Sequence, residues 1–274
     1  MKRSDIMKIP RDLLLQLLSV TKREQSVNSK TQPQVTGCIL VLGDKRLSTT
    51  SIVKDGKTSL SRFSFTCDDE DEDSVPVPDI DRLIGVLKYH GEMVTLSYNN
   101  ETAKVLIKSN KKQTTLVGGL AAKAFANSQL NLLAWHKNGV ERAAQIKGNV
   151  YEMADGKTRS PFATFKLSSE VLHDALKCDS MNGQKLNRYT FNLTDGEVTV
   201  TVGDHFKGLT ETVIDKGYSD DNFSAIFEGG LENIVKYYKG DVSLAFLDFS
   251  PEGQGTRLIM SFANGDWVFQ AGVL

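Results

Sequence analysis

Cysteine is scarce: the chain holds three in 274 residues, Cys38, Cys67 and Cys178, odd in number and far apart. That pattern fits reduced thiols better than a disulfide framework or a cysteine-built zinc site. No apolar run approaches the roughly 18 residues needed to cross a bilayer. The start, Met1 to Ile9, carries charges where a signal peptide needs an apolar stretch, so an intracellular protein is expected. Neither charge sign is in excess, with 33 basic and 34 acidic residues, so net charge neither demands nor forbids a nucleic-acid partner. The four histidines, His90, His136, His173 and His205, have no metal-ligand spacing, and no Gly-x-Ser-x-Gly elbow offers a nucleophile. Gly156-Lys157-Thr158 looks like the end of a phosphate loop, but Tyr151 stands where its first glycine is required. No enzyme, cofactor or metal site is expected.

One acidic cluster remains, Asp68 to Asp73, with Asp69, Asp71 and Asp73 in the alternation of a calcium loop. Position six of that loop would be Ser74 rather than glycine, and position twelve Ile80 rather than glutamate, so a solvated loop is the better reading. Asn100-Glu101-Thr102 and Asn192-Leu193-Thr194 match glycosylation sequons, yet without a secretion signal they read as turns.

What is present is a repeat. An extended piece, Asp5 to Ile9, leads through Pro10 into a helix carrying Leu13, Leu14, Leu17 and Leu18, with proline in its first turn. After a polar loop, Gln25 to Pro33, come three β-type runs near Val35 to Leu42, Leu47 to Val53 and Leu60 to Thr66. The pattern restarts at Val75 to Val77, with Ile80, Leu83, Ile84 and Leu87 on one helical face, then Met93 to Tyr98, Ala103 to Lys108 and Gln113 to Val117. A third copy runs from Phe162 through Ser168, an N-cap for Val171, Leu172, Ala175 and Leu176, to strands at Tyr189, Glu197 and Gly208. The fourth has Phe223 to Phe227, a helix with Leu231, Ile234, Val235 and Tyr238, and three strands, the last two joined by Asn264-Gly265. The order βαβββ is thus written four times, and the fold class is α+β with two such units in each of two domains. Residues 1–118 are expected as the first domain, 119–160 as a connector and 161–274 as the second domain.

The fourfold order resembles the DNA sliding clamps, a family that includes proliferating cell nuclear antigen and the T-even phage clamp. The helix starts Ile9-Pro10-Arg11-Asp12-Leu13 and Leu167-Ser168-Ser169-Glu170-Val171-Leu172, and the tail Ala263-Asn264-Gly265-Asp266-Trp267-Val268-Phe269, carry the likeness together with that order. The resemblance implies helices lining a ring channel, antiparallel sheets outside, and three two-domain subunits in a head-to-tail homotrimer. It implies a non-enzymatic processivity factor that encircles double-stranded DNA and binds a DNA polymerase and a clamp loader. The long connector and near-neutral charge fit a phage clamp better than a cellular one.

A clamp needs phosphate-directed cations and no base-reading constellation. The expected DNA-binding residues are Lys22 and Arg23, Arg82 and Lys88, His173 and Lys177, and Lys236 and Lys239, one pair per helix, although helix-surface lysines are more often merely solvated. The strand Gln113 to Val117, with Thr114 and Leu116, is expected to meet the strand Gly208 to Ile214, with Thr210 and Thr212, across the subunit boundary. Trp267, Phe269 and Val273 share a strand face that is either core or a groove for partner peptides. The alternative function is a monomeric DNA-binding accessory subunit of related fold.

Overall fold

The computed structural model describes residues 5–22, 24–27, 30–33, 35–52, 59–68, 73–99, 101–102, 104–117, 151–152, 158–177, 188–204, 208–218, 221–228, 230–249 and 255–273. Arg23, Cys178, most of the acidic run, the phosphate-loop look-alike and nearly all of the 119–160 connector lie outside these residues. The chain forms two compact units, 1–22 with 35–54 and 61–138, and 23–34 with 55–60 and 139–274.

In the first unit the elements are β1 (Asp5–Pro10), α1 (Arg11–Lys22), β4 (Cys38–Gly43), β5 (Arg46–Ile52), β6 (Ser59–Thr66), β7 (Asp73–Val77), α2 (Ile80–Leu87), β8 (Met93–Asn99), β9 (Lys104–Ser109) and β10 (Lys112–Val117). Between α1 and β4 lie β2 (Glu24–Val27) and β3 (Lys30–Pro33), which pair with each other. That hairpin replaces the polar loop expected at Gln25 to Pro33. Val27 and Thr31 supply β-branched residues, and Pro33, which cannot donate, falls at the end of the ladder where the loss costs least.

The first strand of each repeat joins the sheet of the other. β1 pairs with β8 in the order β1-β8-β9-β10, while β7 pairs with β4 in the run β7-β4-β5-β6. Alternation sets the first sheet: Met7, Ile9, Val94, Leu96, Tyr98, Val105 and Ile107 are buried, whereas Lys8, Lys104 and Lys108 are exposed. α1 and α2 lie side by side and bury Leu14, Leu17 and Leu18 from one and Ile80, Leu83 and Leu87 from the other. The start of α2 is held by Asp79, whose carboxylate accepts the Arg82 N–H at 2.8 Å, an N-cap bond that contributes about 1 kcal/mol.

The second unit repeats this plan. After a short pair, β11 (Tyr151–Glu152) with β12 (Thr158–Arg159), come β13 (Ala163–Ser168), α3 (Ser169–Lys177), β14 (Arg188–Thr194), β15 (Glu197–Asp204) and β16 (Gly208–Lys216). The fourth repeat is β17 (Phe223–Glu228), α4 (Leu231–Val235), β18 (Asp241–Asp248), β19 (Thr256–Phe262) and β20 (Trp267–Ala271). Again the first strands are exchanged, giving β13-β18-β19-β20 and β17-β14-β15-β16. Ser168 caps α3 as its sequence position predicts, its hydroxyl accepting the Val171 N–H at 3.1 Å. Ser169 donates its own hydroxyl to the Tyr238 carbonyl at 2.9 Å, fixing α3 to the exit of α4.

Aromatics fill this second core. The Phe246 ring is fully buried, with the rings of Phe223, Phe191, Phe165 and Phe227 at 5.0, 5.6, 5.7 and 6.0 Å. On the other face of β18, Ala245, Leu247 and Phe249 pack with Ile259 and with the half-buried Phe269. At the β14–β15 turn, Gly196 has φ +80 and a Cβ there would stand 2.8 Å from the Tyr218 carbonyl, so only glycine fits.

Candidate nucleic-acid interface

The expected cations sit at or near helix ends, where the apolar stripe has turned under and long side chains can leave the surface. Lys22 is the exception. It ends α1 beside the first turn of α2, its Nζ is 2.6 Å from Asp81 Oδ1, and the side chain is only 17% exposed. Lys22 therefore reaches a phosphate only by giving up that pair. Arg82 and Lys88 are exposed at the two ends of α2. In the second unit Lys177 is exposed at the last turn of α3, and His173, on the same helix face, is partly covered with its ring 4.0 Å from the Asp174 carboxylate. Lys236 and Lys239 are exposed at the exit of α4. α3 and α4 are neighbours, as α1 and α2 are, so the expected cations of each unit are borne on one adjacent pair of helices.

Two residues that sequence reasoning did not single out stand beside these lysines. Tyr89 follows Lys88 and is 74% exposed; Tyr237 follows Lys236 and is 38% exposed, with the Lys236 ammonium 5.0 Å from its ring centre. Both helices leave by the same turn. Tyr89 and His90 donate their N–H groups to Val86 and Leu87, and Tyr237 and Tyr238 donate theirs to Ile234 and Val235. The signal was present as Leu87-Lys88-Tyr89-His90-Gly91 against Val235-Lys236-Tyr237-Tyr238-Lys239-Gly240, the same helix exit in the second and fourth repeats. A lysine next to an exposed ring offers a phosphate contact and a flat surface for a sugar or base, without reading a base edge.

The strands expected at a subunit boundary are sheet edges. β10 has β9 as its one neighbour and β16 has β15, among the described residues. Thr114 and Leu116 are half-buried on β10, as are Thr210 and Thr212 on β16. The opposite face of β16 carries Leu209 and Val213, 45% and 44% exposed, which the alternation Leu209, Glu211, Val213 could have indicated. Two exposed apolar side chains on an edge strand form an aggregation liability unless another chain covers them.

The three residues expected to take partner peptides part company. Trp267 is buried, Phe269 is half-buried against the Phe249 cluster, and Val273 is exposed. Two guanidinium groups lie over the Phe249 ring, Arg159 at 4.4 Å and Arg257 at 5.7 Å from its centre, and burial draws Arg257 below its usual range. Elsewhere, burial pushes the Cys38 thiol well above its usual range, which keeps it protonated and unreactive. No cluster of three metal-ligating side chains occurs among the described residues. No helix among them is long and apolar enough to cross a membrane.

No protein-family model and no curated protein sequence matches the chain. Solved structures do. The DNA polymerase sliding clamp of Pseudomonas aeruginosa superposes with a TM-score of 0.59 at 14% identity, over 98% of this chain and 64% of that one. That of Bacillus subtilis gives 0.60 at 14% identity, over 100% and 65%, and the DNA polymerase III beta subunit of Thermotoga maritima 0.60 at 11%, over 100% and 66%. The chain thus spans about two thirds of the length of the proteins it resembles. Its fold is the α+β fold of the DNA polymerase sliding clamps.

Proposed function

We propose that the chain is a sliding clamp: a non-enzymatic processivity factor that closes head-to-tail as a homotrimer round duplex DNA and tethers a replicative polymerase. The observation that carries the reading is the likeness to sliding clamps along the whole chain, built on four βαβββ repeats with exchanged first strands. A subunit of two domains, 1–118 and 161–274 joined by 119–160, supplies six domains in three copies. β10 of one copy meets β16 of the next, which covers Leu209 and Val213 and satisfies two rows of edge backbone groups.

Arg82, Lys88, Lys177, Lys236 and Lys239 contact phosphates from the helices, with Tyr89 and Tyr237 beside them. Such contacts are salt-dependent and blind to sequence, so the ring is held on DNA without stopping at any site. The polymerase and the clamp loader dock through apolar tails near Phe269 and Val273, where Phe249 and its two guanidinium neighbours border the sheet. The near-neutral charge and the long connector favour a phage clamp working in the cytoplasm of a bacterial host.

The test joins mass to processivity. Light scattering on the purified protein should give three times the subunit mass of 30.2 kDa. A Lys177→Glu, Lys236→Glu variant should keep that mass and shorten primer extension on a long singly primed template with the cognate polymerase and loader. Unchanged extension by the intact variant ring would remove these helices from the DNA channel. A monomer that still lengthens extension would favour an accessory subunit that holds DNA by charge alone.

A further inference from the structure

One buried titratable side chain plays no part in the proposed DNA contacts. His90 follows α2, is 4% exposed, and touches the hairpin that ends in edge strand β10. Its Nδ1 lies 2.8 Å from Ser109 Oγ, on the last residue of β9, and its Nε2 lies 3.0 Å from Thr114 Oγ1, within β10. Ser109 Oγ also accepts the Gly91 N–H at 3.0 Å. Two further bonds tighten the same joint: Lys112 Nζ donates to the Tyr89 carbonyl at 2.7 Å, and Arg11 Nη1 to the His90 carbonyl at 2.9 Å.

The neutral ring suits this setting in either tautomer. With the proton on Nε2, the ring donates to Thr114 and accepts from the Ser109 hydroxyl; with the proton on Nδ1, the roles reverse. A protonated ring donates from both nitrogens, so both hydroxyls must accept and turn their own protons elsewhere in a nearly dry site. The charges round the ring oppose protonation as well. Lys112 approaches from β10 and Arg11 from α1, Lys88 precedes on its own segment, and the nearby carboxylates do not bond the ring: Asp12 pairs with Arg11 at 2.9 Å and Glu92 is exposed. Burial, with Lys112 second, draws the imidazole below its usual value of 6.5. The sign follows: stability from the neutral ring is complete above pH 6.5 and is lost as pH falls through the lower folded-state value.

We propose that His90 is a proton-sensitive clasp on edge strand β10, holding it in the form that can pair with another chain and releasing it on acidification. The link to subunit pairing rests on the ring reading above; the clasp on β10 does not. Hydrogen exchange of the β10 amides, corrected for intrinsic rates, reads the clasp, while light scattering at the same pH values reads the ring. Wild-type β10 should exchange faster by up to tenfold per pH unit as pH falls from 6.5 to the folded-state pKa and level off below it, with the rest of the first sheet unchanged, and the ring should dissociate at higher concentration as pH falls. His90→Gln, which cannot titrate, should flatten both responses. Thr114→Val, which deletes the Nε2 partner, should raise β10 exchange already at pH 7.5, and this arm decides the matter if the glutamine variant does not fold.

Equal pH dependence of β10 exchange in wild type and His90→Gln would overturn the clasp. So would an imidazole that titrates at or above 6.5 by NMR in the folded wild type. A chain that is monomeric at pH 7.5 yet shows the histidine-dependent exchange keeps the clasp and overturns the ring reading instead.

Discussion

On the proposed clamp reading, Asp81→Asn should weaken the fold slightly and strengthen the grip on DNA, because it removes the carboxylate charge 2.6 Å from the Lys22 ammonium. The cost can be worked from exposure. Asp81 is half-exposed, so the ion pair contributes about 0.2–1 kcal/mol after solvent screening. Its place in the first turn of α2 adds about 0.3–1 kcal/mol from the helix dipole. Together the loss is about 1 kcal/mol, a fall in melting temperature of roughly 2–4 °C. The gain appears in salt dependence. Each phosphate newly contacted steepens the plot of log affinity against log salt by about 0.9, and the three copies of the proposed ring allow up to three such contacts. The assay is fluorescence anisotropy of a short duplex titrated with clamp between 50 and 200 mM salt, beside thermal unfolding of the same preparation. Lys22→Met should leave the wild-type slope unchanged, since the paired lysine contributes little to it. A destabilised Asp81→Asn ring with an unaltered slope would show that this end of α1 does not face the duplex.

Val213→Lys puts a charge on the exposed face of edge strand β16; it should reduce the mass in solution to that of one subunit while changing unfolding free energy by about 0.5 kcal/mol or less. A stable trimer of that variant by light scattering would place the boundary elsewhere. Phe246→Ala empties the middle of the aromatic core of the second unit and should cost about 3–5 kcal/mol by urea unfolding. A loss under about 1 kcal/mol would mean that the neighbouring rings collapse into the space.

The elements themselves are legible in the sequence because their signals are local. Ser168 caps the helix it announces, Asn264-Gly265 turns the last hairpin with Gly265 at φ +82, and the period-two runs become strands within three residues at their ends. Pairing is another matter. That β1 lies beside β8, and β7 beside β4, depends on contacts between distant segments, for which no neighbouring residue carries a sign. The candidate site divides the same way. The exposure of Lys88, Lys177 and Lys236 follows from their position off the apolar stripe, whereas the capture of Lys22 depends on α1 packing against α2, which no helical spacing encodes. Trp267 and Phe269 share a strand face, and only the neighbours on β18 and β19 decide how deeply each is covered. Tyr89 and Tyr237 look like ordinary turn residues until their repeats are laid together.

The exchange of first strands also governs how the protein comes off the ribosome. Asp5 cannot find Tyr98, nor Ile9 find Val94, until the second repeat has been made as far as β8. At ordinary rates of synthesis that is a wait of roughly 5 to 20 s, during which Met7 and Ile9 lack their partner strand. The earliest strand of each unit is safe from a chaperone or a protease only once its partner in the following repeat has been made.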